Sequence, residues 1–203
     1  LSNKSPFINE AISVTYKLYV SPDTGVDNWR ELEAPRYANF WSNNIDIKSL
    51  NVQNGTYKGE PYRYVVLRRT LLYPQKTGKL KIEPLTLDIS VQVPSNRRDF
   101  FGNLISSSVN KTVSAGSSFI DVKPLPIDNK PNDFSGAVGD FNFEIKSDKK
   151  ELLIDEAFQL SLIISGNGNF NLFEDPKISL PSSLEVYEPE KISNVSVRAG
   201  GIR

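Results

Sequence analysis

Histidine and cysteine are both absent from the 203 residues, so acid–base chemistry in this sequence falls to its carboxylates. The same absence removes imidazole bases, thiolate nucleophiles, disulfides and the usual zinc and copper ligands. Glu10, Glu31, Glu33, Glu156, Glu174 and Asp175 are candidates by type, because two carboxyl groups held roughly 5–10 Å apart can divide the roles of a hydrolysis. Their setting points elsewhere. Glu10 and Glu156 fall in matching stretches, Ile8-Asn9-Glu10-Ala11 and Ile154-Asp155-Glu156-Ala157. In such turns a carboxylate accepts backbone N–H groups or stays solvated. The expectation is a chain that is not an enzyme, with no catalytic residue and no cofactor.

Asp23-Thr24-Gly25-Val26-Asp27-Asn28 spaces oxygen donors as a hard cation would require, but it lacks the distant bidentate Glu of an EF-hand and reads as a polar hairpin loop. Gly166-Asn167-Gly168-Asn169 has no following helix to give it a phosphate-binding field, and reads as a flexible turn. No metal site is expected. Arg63, Arg68, Arg69, Arg97 and Arg98 form small clusters, not a basic stripe, and Arg68 and Arg69 must point to opposite faces of a strand. With 24 Lys plus Arg against 24 Asp plus Glu, no global field gathers nucleic acid, so partners must be recognised locally. The residues suited to that are aromatic. Trp29, Phe40 and Trp41 lie in or beside loops, and Phe100-Phe101 sits in a polar stretch. Exposed, such rings anchor a protein partner or stack on a glycan; buried, they fill the space between sheets.

The elements that position these residues are strands. Ile12, Val14, Tyr16, Leu18 and Val20 alternate with polar residues, and Phe158, Leu160, Leu162 and Ile164 repeat the pattern. Tyr62 to Tyr73 is rich in aromatic and β-branched residues, and Pro74 to Gly78 turns it toward Lys79–Val93, which predicts a hairpin. Within that second arm the apolar parity changes between Leu80-Ile82 and Leu85-Leu87-Ile89-Val91-Val93, so a bulge or kink is expected at Glu83-Pro84. Residues 97–118 are Ser- and Asn-rich and read as a long mobile loop. Phe141, Phe143 and Ile145 open another strand.

The turn containing Glu10 and the one containing Glu156 are 146 positions apart, and Leu32-Glu33-Ala34-Pro35 is answered by Phe173-Glu174-Asp175-Pro176 at nearly that spacing. This predicts two homologous modules. The expected organisation is an all-β chain of tandem immunoglobulin-like β-sandwich modules: residues 1–123, a Pro- and Gly-containing linker over 124–139, and a second module over 140–203. A sandwich needs roughly 100 residues, so the second module is expected to be truncated. No run approaches the roughly 20 apolar residues of a membrane helix. The start lacks a signal-peptide core and there is no Met, so the chain reads as a processed or excised piece.

Several stretches taken together resemble the BatD (oxygen tolerance, aerotolerance) family: Ala11 to Tyr19, Phe40-Trp41, Tyr62 to Leu67, Tyr73-Pro74 with Gly78 to Pro84, and most distinctively Phe134-Ser135-Gly136-Ala137-Val138-Gly139. The family often has Gly before the Glu of the first-strand turn. Here Asn9 and Asp155 stand in that place, and both tolerate positive φ. The resemblance implies a periplasmic segment of a protein anchored to the inner membrane outside this stretch. It also implies a scaffold for envelope partners, among them von Willebrand A-domain Bat-type membrane proteins, in oxygen or stress tolerance. A surface glycan-binding β-sandwich is the alternative.

Overall fold

The computed structural model describes residues 1–98, 100–102, 104–176, 178–198 and 201–202. It is all-β. In chain order the strands are β1 (Ile12–Val20), β2 (Gly25–Glu33), β3 (Phe40–Asn44), β4 (Gln53–Tyr57), β5 (Glu60–Pro74), β6 (Gly78–Ile82), β7 (Thr86–Arg98), β8 (Leu104–Ser114), β9 (Ser118–Val122), β10 (Gly139–Ser147), β11 (Leu160–Gly168), β12 (Val197–Arg198) and β13 (Gly201–Ile202). They form four small sheets: β1-β5-β3 with β4 also on β5, β2-β7-β8, β6-β9, and β10-β11-β13-β12.

The alternation of β1 has the consequence expected of a half-buried strand. Ile12, Val14 and Tyr16 are buried and meet Leu72 of β5, Leu80 and Ile82 of β6, Leu87, Ile89 and Val91 of β7, and Ile120 and Val122 of β9 in one hydrophobic cluster. Three of the sheets therefore turn one face to a common core. Burial of each aliphatic side chain there is worth about 1.5–3 kcal/mol before ordering costs. The N-terminal segment closes one side of it. Phe7 bridges Lys123 in parallel, and backbone bonds run from Asp121 N to Lys4 O (2.9 Å), Lys123 N to Pro6 O (2.8 Å) and Ile8 N to Lys123 O (2.9 Å).

The parity change falls where the sequence places it. Strand structure stops between β6 and β7, and Leu85 in the gap is buried beside Ile82 and Leu87 in the core. Ile82 pairs with Ser118 and Thr86 with Ser114, so residues 83–85 face 115–117 with no change of register. The bond from Ala115 N to Leu85 O (3.0 Å) spans the gap. β6 and β7 are thus one long bent strand, paired along its length with β8 and β9. The expected hairpin between Tyr62–Tyr73 and Lys79–Val93 does not form, because β5 pairs with β1, β3 and β4 while β6 pairs with β9. The turn after Pro74 instead carries the chain from one sheet to another. Of the polar hairpin loop expected at residues 23–28, Gly25–Asn28 lie in β2, and the short connection before them joins strands of different sheets, β1 and β2.

Residues 97–118, read as a loop, mostly form β8 and β9. β2 ends at Gly25 opposite Gln92, and beyond that point β7 and β8 continue as a two-stranded arm. With little core beneath it, the arm carries polar side chains, and its ladder hydrogen bonds hold it extended.

The β10–β11 hairpin runs in register from Gly139↔Gly168 to Ser147↔Leu160. Phe158, expected in the strand, precedes it. Gly166 adopts φ 143°, and a Cβ there would run into the Asp140 carbonyl oxygen. This close approach is one that only glycine allows. The hairpin is tied to the rest of the molecule by a second cluster in which Leu71 and Tyr73 pack with Ala11, Trp41, Phe170, Leu172 and Val197. The Tyr73 hydroxyl donates to the Gly168 carbonyl at 3.0 Å in a buried setting.

Candidate interaction site

Of the five aromatic residues singled out from the sequence, the structure brings only two together as an exposed pair. Trp29 lies on β2 opposite Ile89 and packs, partly buried, on the main core, as does Phe40 at the start of β3. Trp41 belongs to the second cluster, its ring edge-on to Tyr73 at 5.3 Å. Phe100 and Phe101 sit at the end of the β7–β8 arm, 97% and 85% exposed, edge to face at 5.6 Å.

A second aromatic surface escaped the sequence reading. The β1–β5 register sets Tyr19 opposite Tyr64, and the β4–β5 register sets Gly55 opposite Tyr62 and Gln53 opposite Tyr64. The side chains on the outer face are therefore tyrosines. Tyr19 lies 5.4 Å from Tyr57 and 5.2 Å from Tyr64, and Tyr57 lies 5.7 Å from Tyr62. Three local features hold the rings. A Cβ on Gly55 would come within 2.9 Å of the Tyr64 ring, so glycine makes the space that the ring occupies. The Tyr64 hydroxyl donates to Gln53 Oε1 at 2.6 Å. The Lys17 ammonium stands 4.3 Å above the Tyr64 ring, a cation–π contact. Between β4 and β5, Lys58 (φ 55°) and Gly59 (φ 89°) make the two-residue turn that fixes this register. Tyr57, Tyr62 and Tyr64 flanking Lys58-Gly59 was the signal available, but Asn54-Gly55 resembles a turn and masks β4.

Beside the tyrosines, the β3–β4 connection swings away from β5 and leaves an open cavity of about 310 Å³. Asp46, Lys48 and Arg69 are among its lining residues, so it offers charges of both signs. Arg69 reaches it from the outer face of the strand. Arg68 points to the other face, where it binds Glu31 at 2.8 Å. The two arginines divide as strand geometry demands.

The carboxylates are engaged separately. Glu10 accepts the Phe7 amide (2.7 Å) and the Asn3 side-chain amide (3.1 Å). Glu156 accepts the Leu153 amide (3.0 Å) and Lys149 Nζ (2.7 Å). Both turns have the same additional bond, Glu10 N to Phe7 O and Glu156 N to Leu153 O. Both have left-handed backbone before the Glu, at Asn9 (φ 61°) and Asp155 (φ 64°). The Lys149 hydrogen bond, followed by the Leu153 amide, holds the Glu156 carboxyl below its usual pKa. The second stretch of the repeat has no such counterpart, since Leu32-Glu33 ends β2 while residues 173–176 lie outside any strand. Asp175 pairs with Lys191 at 2.7 Å, and Glu33 lies 3.4 Å from the Thr86 hydroxyl. Among the described residues, no group of three or more His, Cys, Asp or Glu side chains could hold a metal ion.

On the inner face, Tyr16 donates to the Glu83 carbonyl at 2.6 Å. Burial, then the neighbouring Tyr37, pushes its pKa far above the usual tyrosine value. Tyr16 is thus a neutral structural hydroxyl. Comparison of the chain with protein-family models, with curated proteins and with solved structures finds no match.

Proposed function

We propose that this chain is a segment of tandem immunoglobulin-like modules, the second of them partial, that serves as a scaffold, not an enzyme, in the bacterial periplasm. The parent would be a BatD-type protein anchored to the inner membrane elsewhere in its sequence and tied to oxygen or stress tolerance. The observation that carries the scaffold reading is the tyrosine face of the β1-β5-β3-β4 sheet. It presents four rings, three of them on β1 and β5, strands whose reverse face is packed into the core, and interfaces concentrate binding energy in such rigid aromatic residues. Three sheets sharing one core, with an N-terminal segment running parallel to β9, support an immunoglobulin-like reading of residues 1–123. The shared Glu10 and Glu156 turns support the module repeat, and the Phe134–Gly139 stretch supports the family. The test is capture from bacterial envelope extracts with the purified chain. Membrane proteins with von Willebrand A domains are the expected catch, reduced by a Tyr19→Ser/Tyr64→Ser variant. Recovery of ribosomal and cytosolic proteins alone overturns the reading.

The tyrosine face also favours a second reading, a glycan-binding module. Sugar rings stack on aromatic faces, and Gln53 and Lys17 lie beside them as polar partners. On a glycan array, binding abolished by Tyr57→Ala and Tyr64→Ala would select this reading. A blank array at millimolar glycan would discard it.

A further inference from the structure

The tip of the β7–β8 arm combines features that the scaffold reading does not use. Asp27 fixes its base, accepting from Gln92 Nε2 and Ser108 Oγ, each at 2.7 Å, so that β2, β7 and β8 are cross-linked there. Past this point the arm leaves β2 behind. In the sequence between Ile89 and Asn110 the only charged residues are Arg97, Arg98 and Asp99, and the rest are Ser, Asn, Gln or apolar. The Arg98 guanidinium donates to the Gly102 carbonyl at 2.6 Å. This places a cation immediately behind Phe100 and Phe101. The phenylalanines are almost wholly exposed to water, with their rings edge to face.

We propose that this tip is a membrane-contact device that inserts Phe100 and Phe101 into the interfacial layer of a bilayer carrying anionic headgroups, with Arg98 meeting the phosphates. The size of the tip selects a lipid surface over a protein. Two Phe side chains bury about 150–250 Å² each, well short of the roughly 800 Å² that each partner gives to a stable protein interface. A bilayer accepts a small convex apolar wedge at any point. Arg98 beside the rings and the otherwise uncharged strands behind them complement an anionic surface. The proposal stands apart from the protein-scaffold reading and can fail without it.

The test is flotation of the full 203-residue chain with two kinds of vesicle, phosphatidylcholine alone and an equal mixture of phosphatidylcholine and phosphatidylglycerol. The wild-type chain should float with the mixed vesicles, and rising salt should weaken that binding. Phe100→Ser/Phe101→Ser should cut binding at least about tenfold, since the hydrocarbon contact of two rings is lost. An unchanged melting temperature would show that the variant folds. Arg98→Gln should leave the phenylalanines in place and lower the preference for the anionic vesicles. The proposal is overturned if the wild type floats with neither vesicle, or if the double variant floats as well as the wild type. It is also overturned if the double variant loses envelope-protein capture while its vesicle binding persists.

Discussion

Asn169 is fully buried and carries the β10–β11 pairing beyond Gly139↔Gly168. Its Oδ1 accepts from Val138 N at 2.7 Å, its Nδ2 donates to Gly136 O at 3.0 Å, and its own backbone N–H donates to Val138 O. Asn169→Ala removes the side-chain partners of Val138 N and Gly136 O, and should cost about 1–3 kcal/mol in urea unfolding. In the sequence Asn169 closes a Gly-Asn-Gly-Asn run that reads as a flexible turn, whereas Gly166, Asn167 and Gly168 finish β11 and pair with Phe141, Asp140 and Gly139. Its side-chain partners lie 31 and 33 positions away, so no local pattern could reveal it. The Glu10 and Glu156 turns were legible because their bonds close within three residues. Glu156 also yields a pH prediction. A carboxyl whose pKa is lowered on folding stabilises above its unfolded pKa, and that contribution is lost as pH falls through the lower folded value. NMR titration should therefore place the Glu156 midpoint below the ordinary value of about 4.3. Lys149→Ala should move it back up.

At the level of elements, alternation told which face of a strand is buried but not which strand lies beside it. Ile12 is wholly buried, as its place in the pattern required. Ile12→Ala should destabilise by about 2–5 kcal/mol in equilibrium unfolding, from lost transfer energy and the residual cavity. The turn after Pro74 carried the same Pro and Gly signals whether the chain doubled back or changed sheets. The pairing of β6 with β9 depends on residues some 40 positions apart, beyond the reach of local spacing. The β8 strand was missed for a different reason. Where no core lies beneath a two-stranded arm, nothing demands apolar alternation, so the polar composition suggests a loop although the ladder is complete from Thr86↔Ser114 to Pro94↔Ser106. The tyrosine face was hidden similarly, since four rings from three strands meet only once the register is known.

Across the whole molecule, the β10–β11 hairpin is held to the first three sheets through the Leu71–Tyr73 cluster, with the Tyr73 hydroxyl on Gly168. Tyr73→Phe keeps the ring and removes the donor, leaving a buried carbonyl without this bond. Hydrogen exchange should then quicken in the β10–β11 amides, by roughly fivefold to tenfold for about 1 kcal/mol. Protection in β1 and β5 should stay as it was. A uniform change across all strands would show that the two regions open as one. The long ribbon of β6–β7 against β8–β9 has a mechanical consequence. Its register runs unchanged past residues 83–85, so a push on the tip travels down the ribbon as down a strut. The strut can yield at the bend at residues 83–85 and at the register shift between Pro94 and Arg98, and its far end is the core face formed by Leu80, Ile82, Ile120 and Val122. Load borne at the phenylalanines is thereby delivered to the side chains on which β1 rests.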